Sequence, residues 1–235
     1  MDRSRRSRQQ SGNRAIDEAI AQVAGPSGLA RVRPGVLFST AGFTINAAGL
    51  PNITEVNAFT VGLGTADPGT GVALTRALTN LQAPGKVEAS KAFVAHSLSV
   101  RPIFFTRVAG IDLTIHQQYL LDLVERTGIT LAIVSDVQRM GNPNHWPGAG
   151  YAPMNSLGAL AAGAQAAAGG GVNQVGGGRL DRQLALHEPY VFDADTVMAM
   201  SFAINPVPAA IVGLATGVVM FQPTFYGYEI QKVVG

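Results

Sequence analysis

From Pro34 to its C-terminus the chain is cut by glycine, proline and asparagine into short runs whose apolar residues recur every second position. That rhythm points to half-buried β-strands joined by tight turns. Val36-Leu-Phe-Ser-Thr and Phe43-Thr-Ile are the first such runs. Ile53 to Leu63 follows, with Val56, Ala58, Thr60 and Gly62 expected on one face and Phe59, Val61 and Leu63 on the other. Ala92 to Val100 alternates in the same way, placing Phe93, Ala95, Ser97 and Ser99 opposite Val94, His96, Leu98 and Val100, and Ile103-Phe-Phe-Thr continues it beyond Pro102 as one long bent strand. Further strands are expected at Ile129 to Val134, Leu180 to Leu186, Val197 to Ile204, Val212 to Phe221 and Phe225 to Val234.

Two helices interrupt the pattern. Asn13 would cap a short one carrying Ile16, Ile20 and Val23, stopped by Gly25-Pro26. The other is predicted from Thr114 to Arg126, where Thr114 and Gln117 form a capping box ahead of Tyr119, Leu120, Leu123 and Val124. The Ala-rich first half of Leu157 to Gly178 also has helical character. Strands and helices do not alternate and no long repeat is present, which disfavours βαβ and solenoid folds. The expected fold is all-β, an antiparallel sandwich of about eight strands arranged as a jelly roll. Residues 1–33 form a basic arm with its short helix, and residues 34–235 form the sandwich domain.

Residues 1–14 hold Arg3, Arg5, Arg6, Arg8 and Arg14 against a single acid, whereas the rest of the chain has 12 basic and 14 acidic residues. Such a block buries no apolar surface and reads as an interaction tail. Charged residues are only 14% of the chain, against about 25% in an average soluble domain. A surface so poor in charge suits contact with neighbouring subunits. Gly141 to Pro153 has too many breakers for regular structure and carries the single tryptophan, Trp146, which with Tyr151 is expected to anchor contacts between subunits.

The residues offer little for catalysis. With no cysteine there is neither a disulfide nor a thiolate metal site, and His96, His116, His145 and His187 lack metal-binding spacing. Asp193 and Asp195 fit a turn better than a calcium loop, and the glycine clusters lack the Gly-Lys-Ser/Thr of a phosphate loop. His145 with Asp136 would be the starting point for an enzyme reading, without any supporting motif. Asn52-Ile-Thr54 matches a glycosylation sequon by composition alone. Phe225, Tyr226 and Tyr228 belong to an alternating strand, where packing is the default. No cofactor is expected. The basic start leads into polar residues instead of an apolar leader core, so synthesis and retention in the cytoplasm are expected.

A basic arm, a short helix, a sandwich of about eight strands and long uncharged loops together resemble the single-jelly-roll coat proteins of icosahedral bacterial viruses. Locally, the segment from Leu184 to Phe202, with its Glu-Pro-Tyr-Val-Phe-Asp-Ala-Asp-Thr step, resembles the strand, turn, strand passage of such virion proteins. The resemblance implies a non-catalytic shell subunit located in the virion. Its partners would be copies of itself, other capsid proteins, and nucleic acid or an internal lipid membrane met through the arm. A soluble binding module, lectin-like or a phage accessory protein, is the alternative, with Trp146 and Tyr151 as its contact residues.

Overall fold

The computed structural model describes residues 3–25, 29–46, 50–106, 126–133, 136–141, 172–173, 184–205 and 217–233. They form one helix, α1 (Arg3–Ala24), and ten strand segments. These are β1 (Leu29–Phe38), β2 (Ala41–Ile45), β3 (Glu55–Ala58), β4 (Lys91–Thr106), β5 (Thr127–Ile133), β6 (Asp136–Gly141), β7 (Val172–Asn173), β8 (Leu184–Phe192), β9 (Met198–Ile204) and β10 (Gly217–Val233).

All described pairings are antiparallel. In the first sheet β10 lies between β4 and the edge formed by β1 and then β2, while β8 and β7 follow one another along the far side of β4. The second sheet runs β3, β9, β5, β6. Ten segments thus fill eight ladder positions, and chain order switches between the sheets in a jelly-roll-like way. The inner faces meet in one core. Phe202 of the second sheet stacks on Phe221 of the first at 4.7 Å between ring centres, and Phe225 is flanked by Phe192 at 5.0 Å and Phe59 at 5.7 Å.

Several expectations need correction. The alternation of β4 does not run through unchanged, because His96 is an extra residue opposite the Tyr226/Gly227 step of β10. This bulge returns Leu98 and Val100 to the face of Phe93 and Ala95, so all four enter the core, while Ala92 and Val94 face outward. β3 ends at Ala58, and Phe59 takes a left-handed φ of 70° that folds its ring into the same core as Val56 and Ala58. The two strands expected on either side of Pro223 are one. Pro223 is tolerated in this inner strand because its missing amide faces Ser39, in the break between β1 and β2. β6, which pairs with β5, was not expected at all.

The N-terminal helix begins at Arg3, not at Asn13. Arginine and glutamine are good helix formers, and a helix already nucleated by docking extends through them readily. It spans 22 residues, about 33 Å. Its end is where the sequence places it, at Gly25 with φ 73° and its amide bonded to the carbonyl of Ala21. One helix stands among the described residues where two were expected; of the second, only Arg126 lies within them.

Candidate assembly surface

Edge strands are where a sandwich is open to other chains, and the edge of the first sheet is closed in an unusual way. Along β1 and β2 successive residues present their backbone groups alternately to β10 and outward. Ser39 bonds inward to the carbonyl of Pro223, so the even-numbered residues face out. The connection between β3 and β4, together with the turn before β3, meets these outward groups with Asx side chains and single backbone amides instead of a strand.

Asn52 clasps Thr44, accepting its amide proton at 2.9 Å and donating its own backbone amide to the Thr44 carbonyl at 3.0 Å. Asn80 treats Phe38 alike, at 2.9 and 3.1 Å, and its side-chain amide also donates to the carbonyl of Val36 at 2.7 Å. Between the two, the carboxylate of Asp67 accepts the amides of Gly42, Gly69 and Thr70 and the Thr70 hydroxyl. Burial pushes the Asp67 carboxyl above its ordinary range, and these bonds offset part of that rise. Asn80→Ala is expected to lower unfolding free energy by about 1–2 kcal/mol, read by urea denaturation. The variant should also aggregate faster, because it frees two backbone groups of β1.

The seal stops at Val36. Pro34 is next along the edge and has no amide to offer, and no described residue bonds the outward groups of Val32 or Ala30. Arg31 and Arg33 flank Val32. Arg33 Nη2 donates to Glu229 at 2.9 Å, and Lys91 Nζ lies 2.9 Å from Glu88 and 3.5 Å from Glu229. The bond to Glu88 raises the Lys91 ammonium above its ordinary value; partial burial opposes it, and the charges of Glu229 and Glu88 add to the rise. Apolar side chains are also open here: Leu29 is 74% exposed, Val36 43% and Val32 39%.

α1 covers part of the outer face of this sheet. Ala15, Ile16, Ala19, Ile20 and Val23 pack on Ala30, Ala92, Val94, Val191 and Ile230. Near its C-terminal end the Gln22 side chain donates to Asp193. Asp193 is the turn residue that the sequence indicates: its other oxygen accepts the amides of Asp195 and Thr196 and the Thr196 hydroxyl at 2.7–2.9 Å. Partial burial pushes the Asp193 carboxyl up, but the Thr196, Asp195 and Gln22 bonds outweigh it and the net direction is down. A carboxyl lowered on folding stabilises above its unfolded pKa, and that contribution disappears as pH falls through the folded value. The stability gap between wild type and Asp193→Ala should therefore shrink between pH 5 and pH 2, a range set by the ordinary aspartate value of about 3.9. Denaturation at stepped pH measures it.

Of the arginines singled out in the sequence, Arg14 is exposed on α1 and ion-paired with Glu18 at 2.8 Å. Arg3, Arg5, Arg6 and Arg8 belong to the first turns of the same helix, ahead of the apolar stripe. Trp146, Tyr151, His116 and His145 lie outside the described residues. Among the described residues no group of three or more His, Asp or Glu is placed to hold a metal, and no helix is long and apolar enough to cross a membrane. The clasping role of Asn52, Asp67 and Asn80 was not legible beforehand; their only signal is an Asx residue recurring in the glycine- and threonine-rich connections on either side of β3. The chain matches no protein-family model and no curated protein.

Proposed function

We propose that the chain is a structural subunit of a virion shell, a coat protein of the single-jelly-roll kind in an icosahedral bacterial virus. The observation that carries this reading is the combination of a jelly-roll-like sandwich with a basic helix attached to the outside of one sheet. A shell subunit needs a rigid wedge and a separate charged element to reach a neighbour or the contents. Here the sandwich is the wedge. Its scarcity of charge fits surfaces that meet copies of the same chain or other capsid proteins.

In this reading the arm is the part of residues 1–33 that precedes β1, and the shell domain takes in Leu29 to Arg33, which pair with β10, together with residues 34–235. Arg3, Arg5, Arg6, Arg8 and Arg14 contact a neighbouring subunit, the genome or an internal membrane, and Trp146 and Tyr151 anchor a loop between subunits. Because the docked stripe begins at Ala15, removing residues 1–12 should shift the melting midpoint by no more than about 2 °C. The same deletion should abolish binding to an anionic partner. For nucleic acid the lost affinity has a log–log salt slope of roughly −0.7 to −0.9 per phosphate; for membrane it is competed by anionic vesicles and not by oligonucleotides. If assembly, nucleic-acid retention and vesicle binding all survive the deletion, the arm has no such role.

A further inference from the structure

We infer that Ala30 to Pro34, the end of the first sheet's edge that no described residue seals, takes up an extended acidic segment of a partner chain as an added strand. The proposal goes beyond the shell reading and stands or falls separately from it. Three observations carry it. The first is the contrast along a single edge. Thr44, Gly42, Phe38 and Val36 are each met by an Asx side chain, whereas Val32 and Ala30 point the same way and have no described partner. A run of alternating amides and carbonyls with no partner among the described residues is the template on which strand addition works.

The second is Pro34, which defines the reach of the site. It lacks a donor and offers only its carbonyl, so the ladder available to a guest is the amide and carbonyl of Ala30, those of Val32, and the carbonyl of Pro34. The guest makes a short contact, and its specificity must come from side chains.

The third is charge. Residues of the guest bonded to Ala30, Val32 and Pro34 alternate with residues that stand opposite Arg31 and Arg33, on the side of the sheet that carries Leu37. Arg31 has no ion pair among the described residues, and Arg33 shares Glu229 with Lys91. The adjoining cleft is lined by Lys86 and Lys91 together with Glu88 and Glu229, and Lys91 is paired with both carboxylates, so Arg31 and Lys86 are the cations there without an ion pair among the described residues. Acidic side chains two residues apart in the guest would meet both arginines. A second copy of β1 is a poor guest for the same reason. Two-fold pairing centred on Val32 sets Arg31 of each copy against Arg33 of the other, and like charges directly opposite destabilise a ladder.

The test uses the full chain and a labelled capped peptide, Thr-Val-Glu-Val-Glu-Val-Thr, followed by fluorescence anisotropy at low salt, with Thr-Val-Lys-Val-Lys-Val-Thr as the charge-reversed probe. The glutamate peptide should bind about tenfold or more tightly than the lysine one. Val32→Pro removes an outward amide without touching the bonds to β10 and should weaken binding by about fivefold. Arg31→Glu, an exposed change that leaves the ladder intact, should weaken it at least as much. Circular dichroism confirms that each variant is folded. Absence of binding, equal binding of the two peptides, or binding indifferent to both substitutions overturns the proposal. So does a peptide that fails to bind while Val32→Pro changes the size of the assembled protein, since the edge would then be pairing with itself.

Discussion

Gly69→Ala should leave little or no folded protein at 25 °C. A Cβ at this position would lie 1.9 Å from the carbonyl oxygen of Gly42 and 2.8 Å from the side chain of Ile53. The oxygen belongs to the backbone of β2, so nothing flexible can move aside. The loop carrying Asp67 would have to lift off the sheet edge, taking with it the carboxylate that accepts the Gly42 amide. Leaving that buried carboxylate and its donors unsatisfied costs about 1–3 kcal/mol per group, on top of the steric displacement. Together these consume most of the stability of an ordinary domain. Gly128→Ala is the control: its nearest neighbour would be the Cβ of Ala203 at 3.9 Å, and the expected change is within about 0.5 kcal/mol. Urea denaturation of both variants separates a general intolerance of glycine replacement from this specific contact.

Phe59→Ala is expected to cost about 3–5 kcal/mol. The ring is fully buried and touches Phe225 where the two sheets meet. Its backbone is left-handed, a conformation that a bulky residue adopts only when its surroundings enforce it. Phe59→Gly removes the same ring but relieves the backbone, so it should be the more stable of the two variants by about 1 kcal/mol. The opposite order would mean that the turn at Phe59 is not left-handed in solution.

Much of the sandwich was legible because most of its strands alternate and are bounded by turn residues. β5 and β9 appear within a residue or two of their expected limits, and β4 passes through Pro102 as expected. What failed did so for local reasons. A period-two pattern cannot register the single extra residue at His96, and one residue is enough to exchange faces for everything beyond it. Nor can it foresee that Phe59 leaves the strand while its side chain stays inside. Pro223 reads as a strand break because proline lacks an amide, and only the gap in the facing edge explains why it is harmless there. The clasps by Asn52, Asp67 and Asn80 are pairings between loop and edge, 8 residues apart for Asn52 and 42 to 44 for Asn80, and local sequence carries no record of them. For α1 the apolar stripe was legible, but its continuation back to Arg3 depends on docking that only the folded sheet provides.

The shell reading is tested most directly by the size of the purified full chain in solution, measured by multi-angle light scattering across protein concentration and salt and imaged by negative-stain electron microscopy. A coat protein should form discrete closed assemblies with a narrow size distribution, or defined oligomers that convert to them on adding nucleic acid or anionic vesicles. A monomer of 24.4 kDa that persists at high concentration, with and without those partners, would contradict it.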